Sequence, residues 1–424
     1  MQDNILQPEK VIVTGISRGR EDFDYTMTEL VELAKANNYE VVGESRQNLE
    51  RSTAAFYFGS GKVAEIKELA DAYDAPTVLV NDELSPSQLR NLERETKHHI
   101  LDRTQLILEI FANRAQSKTA KMQVEIAQLQ YALPRLHPSA NKLDQQGGGG
   151  VANRGAGETK LEMDKRVLNK RIARLRRELK DADIGEEVRR AKRTDKEMPT
   201  VALVGYTNAG KSTTMNGLLA KFSDYPETKQ VFEKDMLFAT LDTSVRQITL
   251  PNNRKFLLSD TVGFVSKLPH TLVEAFKATL AEAANADLLI QVVDYADPHY
   301  PEMMAVTDKT LASIGIHDIP MIVAYNKADL KDGAIFPEVN GDDLIYSARD
   351  SASLDKLTEL IQNHLFATDE TNQYLIPFDK GAVVDFINRE TSVSKTDYTE
   401  DGTLITTTVN PIQAGQLRDY LVVE

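Results

Sequence analysis

The chain has 424 residues, enough for two to four domains, and its 41% hydrophobic and 27% charged content is that of a water-soluble globular protein. It has no cysteine, which excludes disulfides and thiolate metal sites, and its seven histidines show no metal-ligand spacing. A net charge of −14 argues against DNA or general nucleic-acid binding, but residues 114–196 hold 20 Lys and Arg against 11 Asp and Glu, between two acidic flanks. That basic middle fits either a local polyanion contact or a solvated helical face.

The first ten residues carry no basic region followed by an apolar one, and no apolar run approaches the roughly 20 residues that span a bilayer. A cytoplasmic, monomeric protein without membrane insertion is expected. Residues 1–100 alternate strand and helix as a small α/β domain. Strands are predicted at Lys10–Ile16, Tyr39–Val42, Phe56–Phe58 and Thr77–Val80, and helices at Asp22–Asn37, Gly61–Tyr73 and Ser85–Glu95. Gly59-Ser60-Gly61-Lys62 faintly resembles a phosphate loop but lacks the spacing, and is read as a helix N-terminus.

Residues 101–196 read as a helical hairpin. One helix is predicted over 102–133, stopped by Pro134, and a second from near Glu158 to about Arg193, with Leu161, Leu168, Ile172, Leu175 and Leu179 in its apolar stripe. The tip, 134–157, contains Gly147, Gly148, Gly149, Gly150, Arg154, Gly155 and Gly157. Such a run is either a plain linker or a segment that lets backbone approach a bulky anion, of which RNA is the natural candidate. Residues 197–366 form a nucleotide domain and 367–424 a small α+β tail, with a strand near Tyr374–Pro377, a helix Gly381–Arg389, a hairpin through Asp401-Gly402 and a last helix near Pro411–Tyr420. The fold class is thus α/β multidomain, with the nucleotide domain built on a mostly parallel sheet.

Three motifs carry the chemistry. Gly205-Tyr206-Thr207-Asn208-Ala209-Gly210-Lys211-Ser212 fits G-x-x-x-x-G-K-S/T, placed between an apolar strand and a helix. Its backbone N–H groups, with Thr213 beyond them, would cradle phosphates; Lys211 would pair with the β- and γ-phosphates, and Ser212 would ligate Mg²⁺. Asp260-Thr261-Val262-Gly263 follows a second strand, with Asp260 expected on Mg²⁺ and the Gly263 N–H expected to sense the γ-phosphate. Between them, Thr240 is the first choice to close over Mg²⁺ and Thr243 the second.

Asn326-Lys327-Ala328-Asp329 distinguishes guanine from adenine: the Asp329 carboxylate can accept from guanine N1 and N2, Lys327 packs over the base, and Ser347-Ala348 complete the pocket. GTP is therefore the expected nucleotide. Phe264 stands where many GTPases place a water-orienting glutamine, so slow intrinsic hydrolysis is expected. Asn208 either helps to hold a K⁺ ion or only hydrogen-bonds within its loop.

With these residues in view, the chain resembles the HflX family of ribosome-associated GTPases over nearly its whole length. The resemblance rests on the Gly147–Gly150 tip, Arg154-Gly155-Ala156-Gly157-Glu158, Gly205–Ser212, Asp260–Phe264 and Leu268–Leu280, with the family's usual Gly-Lys-Gly-Lys-Val-Glu-Glu-Ile matched loosely at Gly59–Ile66. It departs at Thr213-Thr214-Met215-Asn216, where Thr-Leu-Phe-Asn is usual, and at Asp242-Thr243-Ser244, where Asp-Pro-Thr is usual. The first reads as core variation; the second leaves the register of the threonine segment open. The resemblance implies binding to the large ribosomal subunit and its rRNA, with splitting of stalled or idle ribosomes under stress and GTP hydrolysis stimulated by the ribosome. Some members also hydrolyse ATP. Two rivals share motifs: an rRNA-binding factor of large-subunit assembly, and a small-molecule P-loop kinase, which the Asn326–Asp329 motif disfavours.

Overall fold

A computed structural model describes residues 8–19, 22–136, 153–194, 198–222, 237–238, 243–268 and 281–422. The chain divides into two compact units. One comprises Met1–Arg189, Lys234–Asp242 and Gly263–Thr279; the other comprises Arg190–Glu233, Thr243–Val262 and Leu280–Glu424.

The first unit opens with β1 (Glu9–Ile16), α1 (Phe23–Ala36), β2 (Tyr39–Gln47), α2 (Ser60–Ala72), β3 (Thr77–Val80), α3 (Pro86–Thr96) and β4 (His99–Asp102). The strands pair in parallel in the order β2-β1-β3-β4. Parallel strands with helices on the sheet faces read as continuous apolar runs, and Val11–Val13 and Val78–Val80 are buried accordingly. The helices α2 and α3 share a core with Ile12, Val78, Val80 and Ile100. Ser85 caps α3 through a reciprocal capping box with Gln88, and Pro86 occupies its first turn, as Ser85-Pro86 predicts.

Two expectations fail here. Phe56–Phe58 is not a strand; Thr53 and Tyr57 make only an isolated bridge, which closes a turn. The fourth strand is β4, a four-residue run too short to stand out between two helices.

The helix predicted over 102–133 is two helices, α4 (Arg103–Arg114) and α5 (Lys118–Ala132). Ala115 leaves the helix in an extended conformation, and the Ser117 side chain accepts from Ala120 N–H to start α5. The hairpin's return arm, α6, spans Asn153–Thr194, 42 residues, or about 63 Å at 1.5 Å per residue. It begins earlier than predicted, so Arg154, Gly155 and Gly157 lie on its first turns rather than in a loop. Gly147–Gly150 fall outside the described residues. Met122 and Ile126 of α5 pack against Ile172 and Leu175 of α6, and Arg171 grips Glu125 at 2.7 and 3.1 Å.

The second unit contains β5 (Thr200–Val204), α7 (Lys211–Phe222), β6 (Ser244–Thr249), β7 (Lys255–Asp260), α8 (Ala281–Ala284), β8 (Leu288–Asp294), α9 (Tyr300–Ser313), β9 (Met321–Asn326), β10 (Glu338–Asn340), β11 (Asp343–Ile345) and α10 (Ser351–Leu365). Its sheet runs β10-β11-β9-β8-β5-β7-β6, with only the two edge strands antiparallel to their neighbours. The central β5 is held between β7 and β8, so the loop that follows it leaves from the middle of the sheet. Then come β12 (Glu370–Ile376), α11 (Gly381–Glu390), β13 (Ser392–Tyr398), β14 (Thr403–Val409) and α12 (Pro411–Gln416). They form an antiparallel sheet, ordered β12-β14-β13, over a core of Tyr374, Ile376, Ile387, Ile405, Val409 and Leu417. The last helix is shorter than predicted and ends in a 3₁₀ turn at Arg418–Tyr420. Among the described residues, no helix is long and apolar enough to cross a membrane.

Candidate nucleotide site

The loop after β5 is shaped by two glycines in backbone conformations that side chains rarely adopt. Gly205 has φ +138°, and a Cβ there would lie 2.3 Å from the Val292 carbonyl oxygen. Gly210 has φ +97°, and its Cβ would lie 2.1 Å from Asn326 Nδ2. Both positions therefore admit only glycine. Asn208 also has a positive φ, 60°, which asparagine tolerates better than most residues. The loop curls so that Lys211 Nζ donates to the carbonyls of Gly205, at 3.1 Å, and Tyr206, at 2.8 Å. Burial lowers the Lys211 pKa to about 8, while Asp260 acts in the opposite direction. Thr207 is buried, and its hydroxyl finds no partner among the described residues.

Ser212, in the first turn of α7, donates to Asp260 Oδ2 at 2.6 Å. A hydroxyl and a carboxylate at this spacing, at the end of β7 and at a helix N-terminus, are the hard oxygen donors a magnesium ion takes. The curled loop, the lysine, the orphaned Thr207 hydroxyl and this oxygen pair suit a phosphate chain with its cation.

The base side is built by Asn326. Its Nδ2 donates to Ala209 O, and its Oδ1 accepts from Ala348 N–H, both at 2.9 Å. Lys327 has φ +63° and pairs with Asp294 at 2.7 Å. Asp329 is exposed in a 3₁₀ turn, Ala328–Leu330, with Ser347 and Ala348 buried nearby in the fold: Ala328 N–H donates to Tyr346 O, one residue before Ser347. The Tyr346 side chain, fully buried, reaches the other way, to 2.7 Å from Thr214 Oγ1 in α7. Neither Tyr346 nor Thr214 was singled out by a motif. The Thr214 departure from the usual leucine was the available signal.

The other residues expected at the site lie around it in the chain. Thr240 lies outside the described residues. Thr243 is described, half-buried, just before β6. Gly263 and Phe264 group with the first unit, and there the chain makes contacts that sequence reasoning missed. Ser266 hydrogen-bonds with the buried Glu29 and accepts from Arg103 Nη2 at 2.9 Å. Arg103 also pairs with Glu29 and donates to Asn81 Oδ1 at 2.8 Å. Lys267 pairs with Asp82 at 2.8 Å. On α6, Arg166, Lys170, Arg174, Arg177 and Lys180 are all exposed. At helical spacing they lie on the side opposite the Leu168, Ile172 and Leu175 stripe.

Three family models match in succession: a GTP-binding GTPase N-terminal region over residues 24–112, a GTP-binding GTPase middle region over 114–193, and a 50S ribosome-binding GTPase over 200–327. The chain is 39% identical over 422 residues to a GTPase HflX of Caldanaerobacter subterraneus, covering 100% of this chain and 96% of that protein. It is 40% identical to the GTPase HflX of Lacrimispora saccharolytica, covering 94% and 92%, and 41% identical to that of Alkalihalophilus pseudofirmus, covering 92% and 91%. Among solved structures, a GTP-binding protein of Sulfolobus solfataricus in complex with GDP is 25% identical, with 85% of this chain and 99% of that one covered and a TM-score of 0.43.

Proposed function

The chain belongs to the HflX family of GTPases and is a GTP hydrolase, and from that premise we propose that it binds the large ribosomal subunit and dissociates stalled or idle ribosomes under stress. The observation that carries this reading is the solvent-facing basic row of α6, Arg166 to Lys180, on a hairpin arm in a chain of net charge −14. Locally dense cations on a stiff arm suit an RNA backbone, and the acidic remainder limits non-specific adhesion. Gly147–Gly150 at the tip, with Arg154, Gly155 and Gly157 at the start of α6, would approach rRNA closely. The protein acts as a cytoplasmic monomer in four parts: 1–100, the 101–196 hairpin, 197–366 and 367–424.

In the hydrolytic site, Lys211 leaves the loop carbonyls for the β- and γ-phosphates. Ser212, Asp260 and Thr240 would hold Mg²⁺, which would supply positive charge to offset that developing on the phosphate oxygens. Gly263 senses the γ-phosphate. Asn326, Lys327, Asp329, Ser347 and Ala348 select guanine. Phe264, an apolar side chain that cannot polarise water, makes the unassisted rate low, so ribosome binding completes the site. Asn208 would help to hold K⁺, or only hydrogen-bond within its loop.

Sedimentation of intact ribosomes with the protein and a non-hydrolysable GTP analogue tests this. Separate subunits, with the protein on the large one, are expected. Intact ribosomes carrying no protein would overturn splitting, and binding to immature large subunits alone would make the protein an assembly factor.

A further inference from the structure

We infer that Tyr346 and Thr214 are positioning residues that tie the guanine loop to the phosphate loop and set how long the protein holds GDP. This rests on the base-site reading of Asn326–Asp329 and Ser347-Ala348. The motif residue Asn326 makes one such tie, from Ala348 N–H to the Ala209 carbonyl. The second runs in parallel and ends one residue further on.

Thr214 Oγ1 donates to the Gly210 carbonyl at 2.9 Å. A threonine hydroxyl has one proton, so with that proton committed to Gly210 the 2.7 Å contact to Tyr346 must be Tyr346 O–H donating to Thr214. The result is a relay, Tyr346 to Thr214 to Gly210. It starts on the residue before Ser347-Ala348 and ends on the last glycine of the phosphate loop. Thr214 and Tyr346 both have 0% exposure, so no water competes for the link. Burial also pushes the Tyr346 phenol up, which keeps it a donor. Tyr346 is fixed at its backbone as well, its N–H donating to Tyr325 O at 2.9 Å and its carbonyl accepting from Ala328 N–H. A leucine at 214, having no hydroxyl, could not carry the relay.

Release of fluorescent GDP from the full chain, followed by stopped flow, separates positioning from packing. Thr214→Val orphans the Tyr346 hydroxyl, Tyr346→Phe leaves Thr214 donating to Gly210 alone, and replacing both by apolar groups of the same shape is nearly neutral for stability. Tyr346→Phe and Thr214→Val should each speed release about tenfold, roughly the 1.4 kcal/mol of one strong buried hydrogen bond. The double variant should melt near the wild type yet still release GDP about tenfold faster, since both changes cut one link. Thr214→Ser should restore the wild-type rate, and kcat at saturating GTP should stay within about twofold throughout.

Release at the wild-type rate from the double variant would make the pair mere packing and overturn the inference, as would a silent Tyr346→Phe. Thr214→Val, which is isosteric, reads the link from its other end should Tyr346→Phe fold poorly. Asp329→Asn serves as the control. If it leaves GDP retention unchanged, the base-site reading itself falls and the inference with it. If it abolishes retention while the pair is silent, only the relay falls.

Discussion

Two α/β units in this chain each place a lysine preceded by glycine in the first turn of a helix, and the two lysines meet different partners. Before and into α2 the sequence is Gly59-Ser60-Gly61-Lys62; before and into α7 it is Ala209-Gly210-Lys211-Ser212. In the first, the Gly59 N–H is already taken by the Gln47 side chain at 3.0 Å, and Lys62 turns along its own helix to Glu65 at 2.7 Å. In the second, the loop curls back far enough for Lys211 to lie against the carbonyls of Gly205 and Tyr206. The chemistry resides in the curl. Four residues separate Gly205 from Gly210, and that spacing lets one loop make a cradle that a bare helix N-terminus does not.

The contrast can be broken at the lysines. Lys211→Ala should abolish measurable binding of a fluorescent GDP, whereas Lys62→Ala should leave the affinity within about twofold, because its partner is a surface carboxylate. Equal effects would mean that α2 also carries nucleotide. The glycines come next. Gly210→Ala, strained in φ and pressed on Asn326, should cost about 1–3 kcal/mol in thermal or denaturant unfolding and weaken GDP binding with it. Gly61→Ala meets nothing within 4 Å and should be neutral or stabilising by up to about 1 kcal/mol, as alanine is the better helix former.

The comparison sharpens with pH. In the nucleotide-free protein Lys211 titrates at about 8, below its ordinary 10.5, because burial disfavours the ammonium. Phosphates would favour the ammonium, so binding takes up a proton once the pH exceeds about 8. GDP affinity measured by titration should be flat below that and fall by up to tenfold per unit above it. Folding follows the same linkage. The unfolded chain binds the extra proton between about pH 8 and 10.5, so the burial penalty on Lys211 is fully present below pH 8 and is relieved as the pH rises through that window.

The smallest expected effects lie on α6. Lys170→Ala or Arg177→Ala should leave GDP binding unchanged and lower the slope of log affinity for the large subunit against log salt by about one each. Unchanged slopes would assign the row to solvation alone.

What was legible in the sequence follows from how local each signal is. The phosphate loop, the Asp260 turn and the Asn326 motif are read from contiguous residues, because glycine conformations and strand–loop–helix order are local. The break at Ala115–Ser117 was hidden because the apolar spacing on either side continues in phase, and only the Ser117 cap marks it. The Tyr346–Thr214 pair joins residues 132 apart, and Ser266 meets Glu29 across 237 positions. No window of sequence contains both members of either pair, so packing alone reveals them.

The excursion of the chain at Gly263 has a consequence for how such a protein can be taken apart or inherited. The backbone leaves one unit and returns to it more than once, with Phe238 stacked edge-on to Phe111 and Ser266 held by Glu29 and Arg103. No single cut in the gene yields both units whole. A fragment ending before Lys234 would keep the buried Glu29–Arg103 ion pair but lose both the Ser266 hydroxyl that accepts from Arg103 and the Phe238 ring that meets Phe111. Shuffling of the front half onto another nucleotide domain would have to bring matching loops with it, so the halves are transmissible only together.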